Sequence, residues 1–178
     1  MIRSGQFVIL MRHGLAVESS EWSGDDGDRP LTESGRKKFR QAAQGLLREY
    51  VPTKVVTSDL VRSIQSGDAV DVACANAGHP HPHRIVSKNI GLSANYAEWK
   101  KLFLSVKKEM GPNEIVLVIG HEPGLSMILA GILGLENPVF SFKKSGVAIL
   151  RPGNEEANED RWELLAFVPP RFLREMRT

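Results

Sequence analysis

Apolar residues along the chain fall into short continuous runs and into longer stretches where they recur every three or four positions. The continuous runs are typical of strands buried on both faces, and they occupy positions 7–11, 54–57 and 114–120. The helical spacing predicts four amphipathic helices, over about 32–47, 60–77, 95–110 and 125–133. Strands therefore alternate with helices through most of the chain.

Residues with special backbone preferences support these boundaries. Thr32 can cap the first helix, the Val51-Pro52 pair ends it, and Pro123 suits the first position of the fourth helix. Positions 15–29 are rich in Ser, Gly and Asp, which predicts a loop. Positions 84–86 predict a short edge strand.

The last quarter of the chain carries a different pattern. Apolar runs at 146–150 and 162–167 predict a β-hairpin, with 154–160 as its polar loop, and 171–178 are expected to be frayed or a short helix. Alternating strands and helices that close on a hairpin predict an α/β fold, a three-layer α/β/α sandwich with a mostly parallel sheet. The chain of 178 residues, with no repeat or linker, is expected to be a single domain over 1–178.

Composition narrows the class of protein. A net charge of +2 gives no reason to expect nucleic acid as a partner. The single cysteine, Cys74, lies in an apolar helical pattern, which predicts a buried thiol and fits a reducing compartment. Neither a signal peptide nor a run of ~18 apolar residues is present. We therefore expect a cytoplasmic protein without membrane association; composition does not predict its oligomeric state.

Two clusters raise the question of metal binding. His79, His81 and His83 alternate with prolines, which favour an extended backbone whose side chains diverge, so a loop is predicted, with adventitious metal binding as the alternative. The acidic run 25–28 lacks the spacing of a calcium loop and is interpreted as solvated.

Cationic and imidazole side chains follow three of the predicted strands. Arg12 and His13 end the first strand, Arg62 lies in the first turn of the helix after the second, and His121 follows the third. In open α/β sheets, ligands bind at the carboxyl ends of the strands. Because an arginine at a helix N-terminus is unfavourable for the helix dipole, Arg62 predicts a bound anion there.

This combination suits phosphoryl transfer. Arginines recognise phosphate oxygens bidentately, and an uncharged imidazole can attack phosphorus. A second histidine can donate a hydrogen bond to the equatorial oxygens in the transition state. The predicted chemistry proceeds through a phosphohistidine intermediate and needs neither metal nor cofactor.

The motifs also resemble a known family. They are Met11-Arg12-His13-Gly14, Arg29-Pro30-Leu31-Thr32, Ser58-Asp59-Leu60-Val61-Arg62-Ser63 with Gln65, and Gly120-His121-Glu122-Pro123-Gly124-Leu125. In this order they resemble the histidine phosphatase superfamily, the phosphoglycerate-mutase-like fold, and most of all its SixA-type bacterial phosphohistidine phosphatases without a large cap insertion. The resemblance implies that His13 is the phosphorylated nucleophile and that His121 lies opposite. It implies phosphate binding by Arg12, Arg62 and Arg29.

The chain departs from the family pattern in two places. Related mutases and general phosphatases carry a glutamate, as general acid, before the third helix, whereas positions 89–95 here hold no carboxylate. Leu15 stands where SixA-type members often have aspartate. Glu18, Asp28 and Glu122 remain candidate acids, and an enzyme with no general acid is the other possibility.

Three hypotheses follow. The leading one is a phosphatase acting on phosphohistidine of a signalling or phosphotransfer protein, such as a histidine phosphotransfer domain, because the P–N bond is labile enough to need little acid catalysis. The second is a small-molecule phosphomonoesterase of the same fold acting on a phosphorylated metabolite. The third is a non-catalytic module that binds phosphorylated partners.

Overall fold

The computed structural model describes residues 2–153 and 162–176. Its six strands are β1 (Phe7–Arg12), β2 (Lys54–Thr57), β3 (His83–Val86), β4 (Ile115–Gly120), β5 (Val147–Pro152) and β6 (Trp162–Val168). Its α-helices are α1 (Glu33–Leu46), α2 (Val61–Asn76), α3 (Tyr96–Glu109), α4 (Gly124–Ile132) and α5 (Pro170–Glu175). All the strands and helices expected from the apolar pattern are present within a few residues of the predicted bounds.

The strands form one sheet in the order β3-β2-β4-β1-β5-β6. The pairings β3–β2, β2–β4 and β4–β1 are parallel, whereas β1–β5 and β5–β6 are antiparallel. The sheet is thus mixed, with a parallel half and an antiparallel edge. Because β1, β2 and β4 are parallel neighbours, the residues that follow them meet at one edge.

Alternate residues of the central strands enter two separate cores. Ile9 and Leu117 face the helices α1, α2 and α5 on one side. Val8 and Val118 face α3 and α4 on the other side, where Trp99 is fully buried. This arrangement confirms the predicted three-layer α/β/α fold, and no large insertion interrupts it in the described residues.

Local capping explains where the helices begin. The side chain of Thr32 accepts a hydrogen bond from the Gly35 N–H, as predicted, and Asn95 forms a capping box with Glu98. The fourth helix begins at Gly124, and Pro123, which was expected at the first helical position, precedes it as the N-cap.

The structure also bears on the predicted hairpin and on the predicted burial of Cys74. The hairpin is present, but its predicted loop at 154–160 lies outside the described residues. Cys74 is fully buried, and burial together with Asp71 raises the pKa of its thiol to about 11. On α2, Val70 and Ala73 are fully buried, whereas Val72 is 43% exposed. No helix among the described residues is long and apolar enough to cross a membrane.

Candidate active site

The two histidines lie side by side where β1 and β4 end. Arg12 is in register with Gly120, and the N–H of His13 donates to the carbonyl of Gly120 at 3.1 Å. The rings of His13 and His121 are 4.8 Å apart between centroids and tilted by 47°. They are 3% and 4% exposed. The parallel pairing of two strands that are distant in sequence therefore builds the centre of the site.

The hydrogen bonds of His13 define its tautomer. Nδ1 lies 2.7 Å from the carbonyl oxygen of Gly14, which can only accept, so the ring proton is on Nδ1. Nε2 then carries a lone pair, and it faces the Lys144 ammonium at 3.4 Å. Burial, then Lys144 and His121, lower the pKa of His13 far below its ordinary value. At neutral pH, the His13 ring is therefore uncharged.

His121 is also held uncharged. Its Nε2 lies 2.6 Å from the hydroxyl of Ser58, and the N–H of Leu60 donates to the same hydroxyl oxygen at 3.4 Å. Burial, followed by the charges of Arg62, Lys144 and Arg12, lowers the pKa of His121 to about 3. If Ser58 donates to Nε2, the ring proton lies on Nδ1, which is buried without a protein partner. Nδ1 is then a donor suited to a phosphoryl oxygen.

Asp26 links two of the predicted phosphate ligands. Its carboxylate accepts from Arg62 Nη2 at 2.8 Å and from Arg29 Nε at 2.9 Å. Arg62 is 1% exposed, and its Nη1 also donates to the Asp26 carbonyl at 2.5 Å. Burial alone would raise the pKa of Asp26, but hydrogen bonds and charge from Arg29 and Arg62 lower it below its usual value.

The interpretation of the acidic run as a solvated loop was therefore wrong for Asp26. Two short 3-10 turns shape the segment 15–29, and the second of them contains Asp26. It aims the carboxylate at the start of α2, where Arg62 lies in the first turn. The anion predicted near Arg62 is, in this structure, a side chain of the protein itself.

Arg12 directly precedes His13 at the end of β1. Its Nη1 donates to the carbonyl of Phe142 at 2.7 Å, and its Nε is buried without a partner. Burial lowers the pKa of Arg12, with Glu122 opposing the effect. Arg12 and Arg62 both act electrostatically on His121, and together with Arg29 they act on Lys144. The five predicted site residues thus converge on one electrostatic network.

Lys144 is a site residue that the sequence analysis missed. It lies in the turn between α4 and β5, where the N–H of Ser145 donates to the carbonyl of Arg12 at 3.0 Å. Burial, then Arg12, Arg62 and Arg29, lower the pKa of Lys144 to about 8, and Glu18 opposes them. The sequence carried no signal for this position, because Lys144 lies in no motif and the antiparallel pairing of β5 with β1 is seen only in the structure.

The three candidate acids have different environments. The Glu122 carboxylate accepts from the Phe142 N–H at 2.6 Å and from the Ser126 hydroxyl at 2.7 Å, so it is occupied in holding the loop before β5. Glu18 is exposed and acts on Lys144 through its charge. Asp28 is exposed. Among the described residues, no carboxylate hydrogen-bonds to His13 or His121.

The described residues show no grouping of metal-binding side chains. No three His, Cys, Asp or Glu side chains among residues 2–153 and 162–176 are grouped so that they could hold a metal ion. His79, His81 and His83 therefore do not form the site considered as the alternative to a loop. His83 instead begins β3.

The chemical capacity of the site follows from its charge and its unpaired donors. Three arginines and a lysine surround two uncharged imidazoles, with Asp26 as the carboxylate bound to the arginines. Nε of Arg12 and Nε of Arg62 are buried without partners. Such a site favours an oxyanion, which can accept from these donors and bring an electrophilic phosphorus to Nε2 of His13.

Comparisons with known proteins agree with this geometry. Residues 8–81 match the histidine phosphatase superfamily (branch 1). An uncharacterised protein of Picosynechococcus sp. is 29% identical over 169 residues, which are 92% of this chain and 96% of that protein.

Solved structures show the same fold at low identity. The protein histidine phosphatase SixA complexed with tungstate has a TM-score of 0.77 at 22% identity, over 94% of this chain and 99% of that one. A mycobacterial glucosyl-3-phosphoglycerate phosphatase has a TM-score of 0.71 at 15% identity, over 92% of this chain and 98% of that one. Residues 8–81 thus match the histidine phosphatase superfamily (branch 1), and over nearly the whole chain the fold is similar to that of SixA.

Proposed function

We propose that this protein hydrolyses phosphohistidine on a signalling or phosphotransfer protein, with His13 as the nucleophile. The observation that carries the proposal is the state of His13. Its Nδ1–H donates to the Gly14 carbonyl, which leaves an uncharged Nε2 among cationic side chains. That is the state of imidazole required to attack phosphorus.

The reaction has two displacements. In the first, the Nε2 lone pair of His13 forms a bond to phosphorus while the bond to the substrate nitrogen breaks. The Gly14 carbonyl accepts from Nδ1–H and stabilises the positive charge that develops on the ring. In the second, water attacks phosphorus, orthophosphate leaves, and the electron pair returns to Nε2.

We assign the remaining predicted residues to the phosphoryl oxygens. Arg12, Arg29 and Arg62 would bind them through charge-assisted hydrogen bonds, and His121 would donate from Nδ1. Asp26 holds Arg29 and Arg62 together, so their guanidinium groups are positioned before a substrate binds.

The surroundings of the histidines support a phosphoramidate substrate. No carboxylate among the described residues hydrogen-bonds to either ring, and Glu122 is committed to the loop before β5. General acid catalysis by such a group typically contributes about 10²–10⁴-fold for basic leaving groups. A labile P–N bond needs less of this help than an alkyl ester. A histidine phosphotransfer domain is the partner that suits this chemistry.

The proposal includes catalysis by a single domain without metal or cofactor. Arginines and histidines supply the charge stabilisation that metal ions give in other phosphoryl transfers. Activity should therefore persist in a chelator such as EDTA, and a loss that added Mg²⁺ restores would contradict this part.

The direct test compares two variants of one residue type. His13→Ala should abolish dephosphorylation of a phosphohistidine-bearing phosphotransfer domain. His81→Ala, at an exposed position far along the chain, should retain activity. Both variants should show the circular dichroism and melting curve of a folded protein. Retained turnover in His13→Ala would overturn the assignment.

A phosphomonoesterase acting on a small metabolite is the second candidate. It is favoured by the exposed carboxylate of Glu18, whose charge acts on Lys144 at the site. A panel of sugar, glycerate and nucleotide phosphates separates the candidates. Efficient turnover of one of these, with none of phosphohistidine, would favour the metabolite phosphatase.

A non-catalytic module would behave differently from both. It would bind orthophosphate or a phosphorylated domain without forming a covalent intermediate. Absence of turnover across the panel, with binding retained in calorimetry, would support that reading.

A further inference from the structure

We infer that Lys144 donates the proton to the leaving group and then takes a proton from the attacking water, in place of a carboxylic acid. The inference rests on the proposed function, because it needs His13 to form the covalent intermediate. It assigns a chemical role to a residue outside the sequence motifs of the site.

The first argument is the position of the ammonium group. Lys144 Nζ lies 3.4 Å from Nε2 of His13, on the nitrogen that carries the lone pair. A phosphoryl group that binds there must displace the ammonium outward along the direction of attack. In an in-line displacement, the leaving atom lies on that same side, opposite the nucleophile. The flexible lysine side chain can follow it.

The second argument is that the backbone around Lys144 is fixed on both sides. Before it, the Phe142 N–H donates to Glu122 and the Phe142 carbonyl accepts from Arg12 Nη1. After it, Ser145 has a φ of +68°, and Arg12 N–H donates to the Gly146 carbonyl at 3.1 Å. These contacts join the turn directly to the residue that precedes His13. The backbone of Lys144 is thus held next to the site by these contacts, whereas that of an ordinary surface lysine is not.

The third argument is the charge around the amine. Arg12 from β1, Arg62 from α2 and Arg29 from the loop all face it, and Glu18 opposes them. With burial, these cations bring the pKa of Lys144 to about 8. The amine is therefore mostly protonated at pH 7 but releases its proton more readily than an exposed lysine, whose pKa is about 10.4.

Lys144 gives up one proton in the first displacement and regains one in the second. When Nε2 of His13 bonds to phosphorus, the electron pair of the breaking bond stays on the leaving nitrogen or oxygen, which takes a proton from the ammonium. Lys144 is then a neutral amine. In the second displacement it accepts a proton from water as the oxygen bonds to phosphorus, and the pair of the P–N bond returns to His13. Orthophosphate and an ammonium result.

The test is a leaving-group series of aryl phosphates whose phenols span pKa values of about 4 to 10. Lys144→Met should lower kcat/KM by about 10²–10⁴-fold for the most basic phenols and only a few-fold for the most acidic ones. The plot of log kcat/KM against leaving-group pKa is therefore steeper for Lys144→Met than for the wild type. Lys143→Met is the matched control, because Lys143 is the exposed neighbour in the same turn, and it should keep the wild-type slope.

Lys144→Arg separates proton transfer from simple charge. Arginine keeps the cation but does not release its proton near neutral pH. We expect this variant to follow the steep line of Lys144→Met. A uniform loss across the series that arginine restores would overturn the inference, and so would a slope unchanged in Lys144→Met.

Chemical rescue covers the case in which these variants fold poorly. Lys144→Cys, alkylated with 2-bromoethylamine, regains an amine at the same reach, while the native Cys74 is buried. The shallow slope should return after alkylation; a slope that stays steep in a folded protein would count against the inference.

Failure of this inference is distinguishable from failure of the proposed function. Label from an acidic aryl phosphate should be trapped on His13 in both wild type and Lys144→Met. If wild type turns over without labelling His13, the proposed function is wrong. If His13 is labelled but the slopes do not differ, only the role of Lys144 is wrong.

Discussion

The two buried neutral histidines should make the stability of this protein depend on pH between 7 and 5. In the folded state, burial and neighbouring cations keep the pKa of His121 at about 3 and that of His13 lower still. In the unfolded chain, each histidine regains a pKa of about 6.5. Below that pH the unfolded state binds more protons than the folded state, so the free energy of unfolding falls as the pH falls.

The magnitude follows from the linkage relation. For one histidine that titrates at about 6.5 when unfolded and stays neutral when folded, the loss from pH 7 to pH 5 is about 2 kcal/mol. The pair therefore accounts for about 4 kcal/mol, a large share of the 5–15 kcal/mol typical of domains. Lys144, at a pKa of about 8, and Asp26, at a pKa below its usual value, titrate outside this window.

Urea unfolding at pH 7 and pH 5 measures this loss. His121→Asn and His13→Asn should each remove about half of the wild-type difference in the free energy of unfolding between pH 7 and pH 5. This holds regardless of how far each substitution lowers stability at either pH. Ser58→Ala is the control, because it removes the hydroxyl 2.6 Å from His121 but keeps the titrating ring. It should lower stability at both pH values and preserve the difference. A wild-type loss that both histidine variants retain in full would refute the reasoning.

Three further substitutions test the supporting structure. Glu122→Gln should lower the free energy of unfolding in urea by about 1–3 kcal/mol, because an amide has one acceptor oxygen for the bonds that the carboxylate accepts from Phe142 N–H, Ser126 N–H and the Ser126 hydroxyl. It should lower kcat without moving the pH profile, because Glu122 does not transfer protons. Asp26→Asn should tighten tungstate binding about 2–5-fold at low salt, as measured by calorimetry, because it removes a half-exposed negative charge from the site. Gly35→Ala should lower the melting temperature, although alanine usually favours a helix by ~1 kcal/mol, because a Cβ would overlap the Leu15 carbonyl oxygen.

Each of these three substitutions has a result that would contradict its prediction. A pH profile shifted by Glu122→Gln would return that residue to the candidate acids. Weaker tungstate binding in Asp26→Asn would mean that its positioning of the arginines outweighs its charge. Gly111→Ala is the control for Gly35→Ala, since its nearest contact would be 3.8 Å away. Equal melting temperatures for the two glycine variants would contradict the packing argument.

The fold was predictable because its signals are local. Buried parallel strands appear as continuous apolar runs, so β2 was predicted with the bounds that the structure shows. Thr32 caps α1 through its own side chain, three residues from the N–H it binds. The positions of His13 and His121 followed as well, because each comes directly after a strand and parallel strands share an edge.

The partners of these residues were harder to predict because they depend on contacts across the chain. Asp26 lies 36 positions from Arg62, and its acidic neighbours made the segment look like an ordinary solvated loop. Lys144 lies 131 positions from His13, next to another lysine, in no motif. Its place became visible only when β5 was found antiparallel to β1, which brings the start of β5 to the end of β1.

Trapping the intermediate tests the central claim most directly. Wild-type protein is mixed with a ³²P-labelled phosphohistidine domain, quenched in alkali within milliseconds, digested, and its peptides are sequenced by mass spectrometry. We expect label on His13, formed and lost at rates that account for turnover, and no labelled enzyme in His13→Ala. Turnover without labelled enzyme, or with the label on another residue, would contradict the account.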